Sequence, residues 1–123
     1  MSDLRVRALR GATTLDVDER DQLIERVREL LAVLMERNEV GVDDLISLVF
    51  TATPDVRSEF PAAAARAAGI AAVPLLCARE LDVEGAVERC IRVLAHVHTT
   101  RPAADLRHVY LHGARQLRTD LPE

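Results

Sequence analysis

At 123 residues the chain has room for one domain, 1–123, and its 49 % apolar and 29 % charged composition is that of a folded globular protein. Only 2 % of its residues are aromatic, which excludes the stacking platforms of single-strand nucleic-acid binders, and a net charge of −4 argues against a general grip on polyanions. All 16 basic residues are arginine, so lysine Schiff-base chemistry and a P-loop lysine are excluded, and cationic work falls to planar guanidinium groups suited to clamping carboxylates.

Leu4 to Thr14 predicts a first strand, because Leu4, Val6 and Ala8 alternate with Arg5 and Arg7. Arg10 then falls on the parity of the apolar residues. Either a register bulge beside Gly11 accounts for this, or an arginine is directed to a semi-buried place. Asp16 to Asn38 predicts a helix: Leu23, Ile24, Val27, Leu30, Leu31 and Leu34 follow helical spacing, with Asp16, Asp18 and Glu19 at its electropositive start. Leu45 to Thr51 is a compact apolar run closed by Thr53-Pro54-Asp55, expected as a buried strand and a turn. Pro61 opens and Gly69 closes a short alanine-rich helix. Ala71 to Cys77, with Pro74 inside it, is expected as an edge strand.

Glu84 to Thr100 is ambiguous. Its front half suits a helical turn, whereas Ile91, Val93, Ala95 and Val97 alternate with Arg92, Leu94, His96 and His98 and predict a strand from Ile91. Arg107 to Leu111 predicts one more short strand, and a polar tail follows from Arg115. The order indicates a mixed sheet with helices on it. No apolar stretch resembles a signal peptide or a membrane span, and Cys77 and Cys90 make no disulfide framework, so a cytoplasmic protein without membrane contact is expected.

Four histidines raise a metal reading. His96-x-His98 or His108-x3-His112 could supply two ligands to zinc, but no third ligand of defined spacing accompanies them, and solvated strand-face histidines explain them more simply. There is no glycine-rich phosphate loop, no Cys-x-x-Cys and no Gly-x-Ser-x-Gly. Cys77 stands at a strand end where a nucleophile could lie, without a histidine beside it in sequence. What remains is a set of polar groups in apolar surroundings: Arg10, Arg66, Glu80, Arg92 and Tyr110. Each alone is an ordinary surface or ion-pair residue. Arginines gathered into one pocket of a net-acidic protein would bind a small dianion.

Seven segments carry a family resemblance. They are Arg10-Gly11-Ala12-Thr13-Thr14, Thr51-Ala52-Thr53-Pro54-Asp55, Phe60-Pro61-Ala62 with Arg66, Val73-Pro74 with Cys77, Glu80-Leu81-Asp82-Val83, Cys90-Ile91-Arg92-Val93 and Arg107-His108-Val109-Tyr110-Leu111. In this order and spacing the chain resembles the AroH class of monofunctional, trimeric chorismate mutases, from about Arg5 to Leu121. One such segment would be weak; seven in register are specific.

The resemblance implies an α+β subunit, a mixed β-sheet packed with two main helices, and a homotrimer forming a pseudo-α/β barrel with active sites between neighbouring subunits. It implies the rearrangement of chorismate to prephenate in aromatic amino-acid biosynthesis, with no metal and no cofactor. By matching positions, Arg10 holds a substrate carboxylate and Arg66 does so more peripherally. Arg92 reaches the ether oxygen of the breaking bond and a carboxylate, Glu80 accepts from the ring hydroxyl, and Tyr110 contacts the side-chain carboxylate. Phe60 and Cys77 line the pocket, and Arg118 belongs to a tail that closes over it. Ala63 stands where some members carry a lysine at the cleft rim. Two other classes remain open: a trimeric deaminase-like protein acting on imines, which would keep a carboxylate-binding arginine but not the Glu80–Arg92 pairing, and a non-catalytic homologue that binds chorismate-like anions.

Overall fold

The computed structural model describes residues 3–118. In chain order it contains strand β1 (Arg5–Thr14), helix α1 (Arg20–Arg37), strand β2 (Leu45–Ala52), helix α2 (Pro61–Ala67), strand β3 (Leu75–Arg79), strand β4 (Cys90–Thr99) and strand β5 (Val109–Tyr110), the last followed by a 3-10 turn over His112–Leu117. The strands form one mixed sheet in the order β3-β2-β4-β1-β5. Central β4 is antiparallel to β1 and β2, while the edge strands β3 and β5 run parallel to β2 and β1.

Helix α1 buries Leu23, Val27, Leu30, Leu31 and Leu34 against one face of the sheet. At ~1.5–3 kcal/mol per buried aliphatic side chain, this stripe rather than intrinsic propensity holds the helix. It starts at Arg20, four residues after the expected Asp16. Gln22 Oε1 accepts the amides of Asp16 and Val17 at 2.6 and 3.1 Å, and the Asp18 carboxylate accepts those of Arg57 and Ser58 at 2.8 and 3.2 Å, so Asp16–Glu19 forms an entry turn instead. At the other end buried Asn38 donates to the carbonyls of Leu34 and Arg107, both at 2.8 Å, and accepts the Arg107 amide at 2.7 Å. The helix end is thereby clipped to the segment that leads into β5.

The first strand corrects the expected face. Leu9, Gly11 and Thr13 are buried toward α1, whereas Leu4, Val6 and Ala8 are exposed. The register with β4 runs unbroken from Arg5↔Thr99 to Thr14↔Cys90, so there is no bulge at Arg10. Gly11 decides the matter: a Cβ there would stand 3.1 Å from both Leu30 Cδ1 and Val93 Cγ1, so its absence lets the helix settle on this side. The irregularity in the sheet lies in β2 instead, between Leu45 and Ser47. That strand is only half-buried, with Leu48 and Phe50 facing the helices.

The expected strand over Ala71 to Cys77 is displaced to Leu75–Arg79. Pro74 precedes it, and the Pro74 carbonyl accepts the Leu48 amide at 3.0 Å, a role that needs no N–H. In β4 the expected alternation is present, with Ile91, Val93, Ala95 and Val97 buried toward the helices and Arg92, Leu94, His96 and His98 on the opposite face. The strand expected over Arg107 to Leu111 is reduced to two residues, and the expected polar tail begins as the 3-10 turn; its residues 119–123 lie outside the described residues. That turn packs onto the second face of the sheet. Ala114 is buried with Ala12 and Cys90, with Tyr110 and Leu117 against them. Gly113 sends its amide to Thr14 Oγ1 at 2.9 Å, an approach that a Cβ, 2.8 Å from the same oxygen, would block.

Candidate active site

The pleat and the register bring the polar candidates to the face of the sheet turned away from the helices. Register aligns Ala78, Thr51, Arg92, Ala12 and Tyr110 in one row across the five strands. Arg10, Leu94, Val49 and Leu76 form the next row. Glu80 follows directly on β3, its amide held by the Ala52 carbonyl at 3.0 Å.

The result is a cavity of about 450 Å³ whose wall includes Arg10, Thr51, Glu80, Arg92, Tyr110, Leu117 and Arg118. Arg92 Nε lies 3.2 Å from Glu80 Oε2, and the same carboxylate accepts a short hydrogen bond from Thr51 Oγ1. Because the Arg92 side chain is 45 % exposed, the pair adds little to stability. Its effect is geometric: the carboxylate, held from two sides, aims the guanidinium. Three guanidinium groups against one carboxylate leave the cavity electropositive, matched to a dianion.

Two neighbouring groups are held neutral. Burial pushes the Cys90 thiol above its ordinary value, although the charge and hydrogen bond of Arg92 oppose the effect. Burial, followed by the charges of Arg10 and Arg118, holds His108 below its ordinary value. His108 Nδ1 accepts the Arg10 amide at 2.9 Å.

Not every candidate comes together in one chain. Phe60, 67 % exposed, and Cys77 line a second opening with Arg57, Glu59 and Arg79. Cys77 pairs with Phe50 and packs toward the helices, on the other side of the sheet from Arg92. Arg66 is exposed on α2. Nearby, the Glu59 carboxyl is held below its ordinary value by the Phe60 amide first and then by Arg20, whose Nε is 3.0 Å away. Thr51, Leu117 and the Arg10 contact of His108 were not anticipated as site features. Thr51 had a signal, a polar residue alternating with buried Phe50, whereas His108 had none.

The histidine pairs are occupied otherwise. His96 Nδ1 shares a hydrogen bond with Ser47 Oγ at 3.1 Å, and His112 Nε2 shares one with Glu29 at 2.8 Å. Among the described residues no group of three His, Cys, Asp or Glu side chains is arranged to hold a metal ion. Nor, among them, is any helix long and apolar enough to cross a membrane.

Known proteins share both sequence and fold. Residues 6–121 match the family Chorismate mutase type I. The chain is 38 % identical to the chorismate mutase AroH of Bacillus subtilis (strain 168) over 96 % of its own length and 94 % of the relative's. It is 45 % identical to that of Thermus thermophilus over 94 % and 96 % of the two lengths. A solved chorismate mutase from Clostridium thermocellum superposes with a TM-score of 0.88 at 43 % identity, covering 89 % of this chain and 98 % of the other. The family match over residues 6–121, full-length relatives at these identities and the matching fold lead to one assignment: the chain belongs to the type I chorismate mutase family.

Proposed function

We propose that the cavity formed by Arg10, Glu80, Arg92 and Tyr110 is where this isomerase of aromatic amino-acid biosynthesis rearranges chorismate to prephenate. The reaction is concerted: one carbon–oxygen ether bond breaks as one carbon–carbon bond forms, within a single molecule. It needs no nucleophile, general base, metal or cofactor. It needs the dianion held in one compact conformer, and positive charge where the ether oxygen gains electrons. Arg92 serves that oxygen, with Glu80 orienting it and accepting from the ring hydroxyl. Arg10 and Tyr110 hold carboxylates, and Arg118 adds to the field. Even an acceleration of ~10⁶ calls for ~8 kcal/mol of differential stabilisation, within reach of several preorganised charged groups acting together.

The single observation that carries this reading is the 3.2 Å Glu80–Arg92 contact beside Arg10 in one open, electropositive cavity. The homotrimer, with the pseudo-α/β barrel it forms and active sites between copies, belongs to the same proposal. Its support is that Phe60, Arg66 and Cys77 lie apart from Arg92 within one chain. In addition, the sheet face bearing Val6 and Leu76 is left 59 % and 61 % exposed at those residues. A neighbouring copy covering that face would bring its own Phe60, Arg66 and Cys77 to close the cavity. A cytoplasmic location fits the two free cysteines, Cys77 and Cys90. The test is an ultraviolet assay of chorismate consumption, with acid conversion of prephenate to phenylpyruvate. Enzyme-dependent formation of phenylpyruvate is the expected result; chorismate left unchanged by the purified protein would refute the reading.

A further inference from the structure

Strand β5 pairs with β1 through only two residues, Gly11↔Val109 and Ala12↔Tyr110. One step earlier, where a longer ladder would offer a main-chain carbonyl, the Arg10 amide donates to His108 Nδ1 at 2.9 Å. A main-chain amide can only donate, so Nδ1 carries a lone pair and the neutral imidazole has its proton on Nε2. The residue before it is rigidly seated, since Arg107 exchanges hydrogen bonds of 2.7 and 2.8 Å with buried Asn38 at the end of α1. A continuous support thus runs from the helix end through Asn38, Arg107 and His108 to Arg10, which is 98 residues from His108 in sequence.

We propose that His108 is a positioning residue for Arg10: the neutral imidazole holds the strand segment that carries this guanidinium, and protonation releases it. The inference rests on the reading of Arg10 as a carboxylate-binding group. Protonation removes the only lone pair that Nδ1 can offer and sets a third positive charge among Arg10 and Arg118, the two guanidinium groups that act on the ring. Of the other groups around it, Arg107 turns its Nη1 to the carbonyls of Ala104 and Leu106, both at 3.0 Å. From the end of α1 comes uncharged Asn38, which holds Arg107. Among the described residues the charges that act on the ring, those of Arg10 and Arg118, both disfavour its protonation. A substrate carboxylate is charged in ground state and transition state alike, so a displaced Arg10 weakens binding and raises KM while kcat changes little.

Steady-state kinetics with chorismate between about pH 8 and pH 5, where the substrate carboxylates stay ionised, test this. The wild-type KM should rise on the acid side with a one-proton dependence, kcat remaining nearly flat. His108→Leu should hold KM at about three to ten times the neutral-pH wild-type value across the whole range, the worth of one lost hydrogen bond, with no further acid rise. His108→Asn, whose amide oxygen takes the place of Nδ1 and does not titrate, should recover most of that loss and also lack the acid rise. An acid rise that persists in H108N overturns the proposal, and so does a folded H108L whose KM at pH 8 stays within twofold of wild type. If H108L fails to fold, H108N alone decides. NMR gives a readout independent of turnover: the Arg10 amide shift should titrate together with the His108 ring, and an amide that ignores the ring overturns the proposal. A wild-type protein inert toward chorismate would instead refute the functional reading, while the Arg10 amide still decides whether His108 holds that strand.

Discussion

Replacing Arg92 with alanine separates catalysis from stability more sharply than any other substitution in this chain. The Arg92 guanidinium stands 3.2 Å from Glu80 and is 45 % exposed, on the sheet face away from the main core. Breaking a half-exposed ion pair costs ~0–1 kcal/mol, so the fold should lose no more than about that much. The catalytic cost is of a different order. As the ether bond lengthens, the oxygen gains negative charge that the ground state lacks, and a donor aimed there binds the transition state selectively. Loss of one preorganised donor costs ~10²–10³ in kcat, or ~2.7–4 kcal/mol. The variant also leaves Glu80, whose side chain is 20 % exposed, facing a dianion without its guanidinium partner, which pushes the loss upward. Arg92→Ala should therefore lose at least a hundredfold in kcat while its urea midpoint moves little. Arg92→Lys should recover only part, because a point-like ammonium cannot serve Glu80 and the ether oxygen with one planar fork. Stopped or continuous ultraviolet assays at saturating chorismate give kcat directly. Turnover by Arg92→Ala within tenfold of wild type would refute the mechanism even with the fold intact.

Glu80→Ala should lower kcat/KM at least tenfold, ~1.4 kcal/mol, by freeing Arg92 and Thr51 from their shared acceptor; unchanged kinetics would remove Glu80 from the site. Gly11→Ala should destabilise by about 1–3 kcal/mol in urea unfolding, because its Cβ would press on Leu30 and Val93 from 3.1 Å; a variant as stable as wild type would contradict the close approach of α1. Stability should also fall with acidification, because His108 in the native state lies below its ordinary 6.5. Unfolded chains then take up that proton first, so the contribution is full above about pH 6.5 and is lost as pH falls through the depressed native value. His108→Asn should flatten this part of the urea-midpoint profile, and a wild type that gains stability over the same range would refute the assignment. Sedimentation equilibrium should give three times the 13.6 kDa chain mass, and a monomer at micromolar concentration would count against the trimer.

Local periodicity alone determined the elements that depend on one buried stripe. The α1 leucines and the two faces of β4 were legible because each side chain repeats at the period of its own element. In β1 the same reasoning chose the wrong face. Leu4, Val6 and Ala8 are more apolar than Arg7, Leu9 and Gly11 as a set, yet it was α1 that selected which face to cover, and it settled where Gly11 admits it. The apolar set it left behind belongs to the uncovered face that also carries Arg10, which is why Arg10 shares its parity without a bulge.

The site divides in the same way. Arg10, Glu80, Arg92 and Tyr110 were legible as residue types in a family's pattern, because a rearrangement of a dianion calls for guanidinium groups, a carboxylate and a phenol and for no ligand cluster. Their meeting was not legible. Parallel pairing of β3 with β2 and antiparallel pairing of β2 with β4 bring Glu80, Thr51 and Arg92 within hydrogen-bond reach, and these registers are long-range properties of the sheet. His108 is the extreme instance. A histidine read on its own offers only an imidazole, and the lone pair acquires a task only when a two-residue edge strand stops short and an amide 98 residues away needs an acceptor. Side-chain chemistry and local period reside in the sequence; which groups must satisfy one another is decided by close packing and hydrogen-bond closure across the folded chain.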